Sequence, residues 1–152
     1  MVVYRIAKTG HIHDVSGIGA RTYGGRWNNK GTAIIYASEN RALATVEYLV
    51  HVPLSLVPSD ISIASLKIPD GIIPKEISLP DLPVRWRDYP APPELAEIGT
   101  QWALTNDTLL LRVPSAVVEH EFNILINPLH PDMKRVTIPR IEEFRFDIRL
   151  LR

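Results

Sequence analysis

One glutamate stands where an acid is costly. Glu47 lies four residues after Leu43 and three before Val50, inside a run with helical spacing, so it shares a face with apolar neighbours. A carboxylate there needs a facing cation or an open cleft, because burying it alone is expensive. Two arginines stand at junctions beside aromatics, Arg5 after Tyr4 and Arg26 before Trp27. Arg26 also follows Gly24-Gly25, where a backbone without side chains lets a ligand come close. A guanidinium fork suits phosphate, which it meets with two parallel hydrogen bonds. Tyr36 closes an apolar run at a strand end, the place where α/β folds seat ligands, and its ring offers a face to a planar group. Ser115 follows Pro114 at another strand end. Plainer roles stand beside these: a boundary Glu47 paired with an arginine, structural ion pairs for Arg5 and Arg26, a core Tyr36, and a turn at Ser115.

Other chemistries lack their residues. The run Gly17-Ile18-Gly19-Ala20 has Thr22 where a dinucleotide fingerprint needs its third glycine, and no helix is expected to open there. There is no phosphate-loop lysine pattern, no G-x-S-x-G elbow and no HExxH among the five histidines, so no metal site is expected. With no cysteine, thiolate ligands, disulfides and cysteine nucleophiles are impossible. Charge balances at 17 Lys+Arg against 17 Asp+Glu, which argues against a nucleic-acid surface and against a ribonuclease. The first fifty residues are nonetheless locally positive, with Arg5, Lys8, Arg21, Arg26, Lys30 and Arg41 against Asp14, Glu39 and Glu47. No apolar run reaches the roughly 18 residues of a membrane span, and the start Met1-Val-Val-Tyr-Arg lacks signal-peptide character, so a cytoplasmic protein is expected.

The elements that must hold these residues follow from periodicity. A chain of 152 residues with 45% hydrophobic and 22% charged residues is read as a single domain, 1–152, with a core of its own. Val2–Ile6 reads as a strand, followed by a glycine-punctuated loop from Gly10 to Gly25. Thr32–Ala37 is a buried strand, and Ser38 is placed to cap a helix running from Glu39 to His51, stopped by Pro53. Nine of the thirteen prolines lie between Pro53 and Pro93, where Ile61–Ile68 alternates as a strand with one wet face and the rest forms a loop or lid around Trp86. Pro93 opens a helix carrying Leu95, Ile98 and Trp102 on one side. Thr108–Val113, Glu121–Asn127 and the alternating Phe144–Leu150 complete the strands. Five or six strands with two substantial helices make an α+β domain, a mixed and mostly antiparallel sheet with flanking helices.

In order along the chain, these segments resemble the RES domain family, named for its Arg, Glu and Ser. The resemblance runs through Val3-Tyr4-Arg5, Gly24-Gly25-Arg26-Trp27-Asn28, Ile35-Tyr36-Ala37-Ser38-Glu39 with Ala42–Glu47, Arg112–Ala116, and Asn123–His130. It implies a fold similar to that of ADP-ribosyltransferases and the toxin half of a bacterial toxin–antitoxin pair. Such a toxin depletes cellular NAD by cleaving the nicotinamide–ribose bond, with inorganic phosphate or water as acceptor. NAD is then a consumed substrate rather than a cofactor. The implied partner is a helix-turn-helix antitoxin of the Xre type that covers the active site. On this resemblance Arg26, Glu47 and Tyr36 are the expected catalytic residues. Tyr4, Arg5, Trp27, Ser115 and Asn123 are the expected contacts to NAD or phosphate, with Tyr4 and Trp27 walling the pocket. Two alternatives stay open: transfer of ADP-ribose to a protein acceptor, and a non-catalytic interaction module.

Overall fold

Pairing of apolar strands fixes the architecture. The computed structural model describes residues 1–152. Seven strands form one sheet: β1 (Val2–Lys8), β2 (Ile35–Ser38), β3 (Ile61–Lys67), β4 (Lys75–Glu76), β5 (Leu110–Pro114), β6 (Phe122–Ile126) and β7 (Thr137–Phe144). Their order is β4-β5-β6-β2-β1-β3-β7, and only the β4–β5 pair is parallel. Three helices flank it, α1 (Ile18–Tyr23), α2 (Arg41–Val50) and α3 (Pro93–Thr105). The expected α+β class is what the chain adopts. No helix is long and apolar enough to cross a membrane.

Alternation along the strands separates two cores. On one face Val3, Ile35, Ala37, Ala64, Leu66 and Ile124 pack together, covered by Ile12 and by residues near the C-terminus. On the other, Leu111, Val113 and Leu125 meet Trp27, Ile34 and the α3 residues Leu95 and Trp102. At the point of closest approach α3 has Gly99, where any Cβ would stand 1.8 Å from the carbonyl oxygen of Trp27. β1 and β2 pair only at Tyr4 and Ser38, so the centre of the sheet opens beyond that point.

Local departures from the sequence expectations have local causes. Ser38 stays in β2, opposite Tyr4 and Asn123, and the helix cap passes to Asn40, whose side-chain oxygen accepts from the Leu43 N–H at 2.7 Å. A short helix, α1, does form in the glycine loop, entered through Gly17 at φ 71°. β3 is wet only at its end: Ser62 is buried and shares a hydrogen bond with Thr9 at 2.8 Å, and Lys67 alone of the strand is exposed. The last strand lies earlier than Phe144–Leu150, since Phe144 already pairs with Ile61, the first residue of β3. Past that point nothing remains to pair with, and Phe146 turns to stack on Tyr48 of α2.

Candidate active site

Glu47 comes to the sheet because α2 packs against β1 and β2. Its Oε1 accepts two hydrogen bonds, from Ser115 Oγ at 2.7 Å and from Asn123 Nδ2 at 2.7 Å. Each donor is itself held. Ser115, buried just past the end of β5, accepts from the Val117 and Val118 N–H groups at 3.1 and 3.0 Å, so its one hydrogen is directed to Glu47. The Asn123 amide is oriented by Ser38, whose hydroxyl donates to Oδ1 at 2.7 Å. No protein group bonds the second carboxylate oxygen, Oε2. The acid is thus clamped by one oxygen and offers the other.

Arg26 stands at the tip of a tight turn closed by backbone hydrogen bonds between Gly25 and Asn28. Its guanidinium donates to the carbonyl oxygens of Trp86 at 2.8 Å and Asp88 at 3.2 Å, in the proline-rich segment. Burial lowers its pKa, and the charge of Glu47 opposes that shift, followed by smaller effects of Tyr36 and Tyr89. Arg26, Tyr36 and Glu47 therefore share one electrostatic neighbourhood. The Tyr36 hydroxyl donates to Asn28 Oδ1 at 2.6 Å and accepts from the Trp27 N–H at 3.1 Å. Burial pushes this phenol far above its ordinary range, so the ring stays neutral.

Arg5 is placed differently from the expectation of two guanidinium groups on one acid. It pairs with Ala64 and follows Val3, both in the core on the sheet face opposite to Tyr4, Tyr36 and Asn123. Its NH1 group donates to the carbonyls of Asp14 at 2.8 Å and Ile12 at 3.2 Å; burial lowers its pKa and Asp14 partly opposes this. Where β1 and β2 part, Arg5 and Tyr36 both line a cleft of ≈ 200 Å³ together with Asp14, Gly17 and Ala20. That space is below the several hundred Å³ of a typical ligand pocket, so a dinucleotide would extend beyond it. Arg5 and the Glu47 cluster thus lie on opposite faces of the sheet.

Tyr4 is half-buried on the Tyr36 side, with the Arg41 guanidinium 5.9 Å from its ring centre. Trp27 is no pocket wall. It is only 2% exposed, packed among Leu82, Leu95 and Trp102, and it serves the site through its backbone bond to Tyr36. Two positions bonded to these residues carry no site role in the sequence reading. Asn28 stands in the sequence reading only as the last residue of Gly24–Asn28, and its burial and the partners of its amide need the fold to be seen. Ser38 was read as a cap, and its orienting of Asn123 needs strand register to be seen.

A fixed carboxylate, a cation and a neutral aromatic ring beside an opening in the sheet can steady a developing positive charge, bind an anion and stack on a planar group. A family model described as RES domain matches residues 2–149. The chain is 40% identical over 148 residues to the Prs ADP-ribosylating toxin of Sphingobium sp. (strain YBL2), spanning 96% of this chain and 92% of that protein. It is 38% identical over 152 residues to Toxin Res of Yersinia enterocolitica, spanning 99% of each. Among solved structures, a chain of the M. tuberculosis MbcT–MbcA toxin–antitoxin complex superposes with a TM-score of 0.74 at 15% identity, over 94% of this chain and 83% of that one. At that identity the likeness concerns the fold.

Proposed function

The chain belongs to the RES domain family, and from that premise we propose that it is the toxin of a toxin–antitoxin pair and acts by cleaving NAD between nicotinamide and ribose. The observation that carries this reading is the half-clamped acid: Glu47 holds one oxygen against Ser115 and Asn123 and leaves the other free. As the bond from the ribose carbon to the nicotinamide nitrogen breaks, its electron pair leaves with the neutral base and the sugar gains oxocarbenium character. A carboxylate that cannot swing away stabilises that charge or holds a ribose hydroxyl throughout. Tyr36 supplies the ring face, and its hydroxyl, engaged with Asn28 and Trp27, takes no proton. Arg26 binds the anionic part of the ligand once its present carbonyl partners are exchanged for phosphate oxygens. Arg5 offers a second cation at the cleft it lines with Tyr36, and Tyr4 lies on the same face of the sheet as Tyr36. Ser115 and Asn123 act on Glu47 rather than on NAD.

The acceptor is water, giving ADP-ribose and a proton, or inorganic phosphate, giving a phosphorylated ADP-ribose. The experiment is purified protein with NAD, with and without phosphate, following nicotinamide by chromatography and the product by its phosphorus spectrum. Nicotinamide release is expected, with a new phosphorus signal if phosphate is the acceptor; no release in either arm refutes the reading. One relative's description as ADP-ribosylating favours a second reading, with a protein side chain as acceptor in the same site. Labelled NAD with cell lysate separates the two, since only the second leaves label on protein. The partner that fits the family is a helix-turn-helix antitoxin of the Xre type covering the site, in the cytoplasm.

A further inference from the structure

Outside the residues that would touch NAD, one buried side chain holds more of the site than any other. Asn28 is 2% exposed, and its amide donates to the carbonyls of Ala20, Thr32 and Asn29 at 2.8, 3.0 and 3.2 Å. Its Oδ1 accepts from the Tyr36 hydroxyl at 2.6 Å. Asn28 thus ties α1, the turn that carries Arg26 and the strand that carries Tyr36 to one point. The pocket of space around that point is full: a Cβ on Gly25 would stand 2.8 Å from the Tyr36 hydroxyl and 3.0 Å from Asn28 Oδ1.

We propose that Asn28 is a positioning residue, which fixes the Tyr36 ring and the Arg26 turn relative to each other without touching the ligand. The proposal rests on the NAD-cleaving reading for its effect on turnover, but its structural half does not. Arg26 and Tyr36 approach the ligand from different segments, so their spacing depends on whatever joins those segments. The hydrogen bonds of Asn28 and the contact at Gly25 are that joint. A displacement of about 1 Å at a reacting centre costs up to about a hundredfold in rate.

The test compares wild type with Asn28→Ala, using kcat and KM for nicotinamide release and the ultraviolet titration of the five tyrosines. Removing the acceptor of the Tyr36 hydroxyl hydrogen favours phenolate, so one tyrosine step should move to lower pH. The expected result is that shift together with a kcat at least about tenfold lower and a KM within about threefold of wild type. A kcat within threefold of wild type overturns the proposal, and so does a slower enzyme whose tyrosine titration has not moved. Should wild type itself release no nicotinamide, the NAD reading fails separately, and the tyrosine titration alone decides whether Asn28 holds Tyr36. If Asn28→Ala does not fold, Gly25→Ala presses on the same pair from the other side and is read by the same two measurements.

Discussion

Replacing Glu47 with glutamine separates its charge from its shape. Glutamine keeps an oxygen where Oε1 accepts from Ser115 and Asn123, both at 2.7 Å. Each bond changes from charge-assisted to neutral, a loss of about 1 kcal/mol apiece. The sum of about 2 kcal/mol leaves a domain of ordinary stability, about 5–15 kcal/mol, still folded. The chemistry should suffer more. Withdrawing one fixed electrostatic partner of a developing charge typically costs about 2.7–4 kcal/mol, about a hundredfold to a thousandfold in kcat. The assay is nicotinamide release from NAD by the purified variant, beside urea unfolding of the same preparation. The expected outcome is a kcat at least about a hundredfold lower, with an unfolding midpoint only modestly reduced. Glu47→Ala should differ by losing more stability, because it strands the Ser115 hydroxyl and an Asn123 N–H. A Glu47→Gln protein that turns NAD over within threefold of wild type would refute the assignment of the acid.

Three further outcomes follow from the same structure. Ser115→Ala removes a donor to Glu47 and an acceptor for two backbone N–H groups, so unfolding should be easier by about 1–3 kcal/mol. Its kcat should fall with little change in KM; a raised KM at unchanged kcat would make Ser115 a ligand contact instead. Tyr36, whose phenol is raised from 10.0 chiefly by burial, keeps a proton that the unfolded chain releases. Its contribution to stability is therefore complete below pH 10 and falls as pH rises beyond it, so Tyr36→Phe should flatten the alkaline decline in urea midpoint, and an unchanged slope would contradict the burial argument. Gly99→Ala drives a methyl into the Trp27 carbonyl, since its Cβ would lie 1.8 Å from that oxygen. Thermal melting should show a loss of about 3 kcal/mol or more, or no soluble protein.

What could be read from sequence alone was whatever depends on neighbours in the chain. The helix bearing Glu47 was legible because Leu43, Val46 and Val50 repeat at helical spacing. The helix at Pro93 was legible because proline suits a first turn and Leu95 and Trp102 then fall inside. Errors came where a distant partner overruled a local preference. Ser38 is a good cap by type, yet it stays in the sheet because Tyr4 and Asn123 pair with it, and Asn40 takes the cap. Phe144–Leu150 alternates like a strand, yet β3 ends its pairing at Phe144 and leaves Phe146 to stack on Tyr48 of α2. Trp27 looked like a wall because it adjoins Arg26 in sequence. In a turn closed between Gly25 and Asn28, neighbouring side chains diverge, one to the carbonyls of Trp86 and Asp88 and one into the core.

The placement of Arg5 turns on the same point at larger scale. Tyr4 and Arg5 are consecutive in a strand, so only one of them can face α2. Sequence pattern does not say which, because Val3 is buried on the Arg5 side while Ile6 and Tyr4 share the other. Register decides it: Tyr4 opposes Ser38, Ser38 opposes Asn123, and Asn123 donates to Glu47. That row of three strands carries the acid's supports on one face and sends Arg5 through to the other. β1 and β2 separate past their single pair, and Arg5 and Tyr36 both line the cleft beside that separation. One ligand engaging both Glu47 and Arg5 would therefore have to reach from the acid's face of the sheet to the cleft that Arg5 and Tyr36 line.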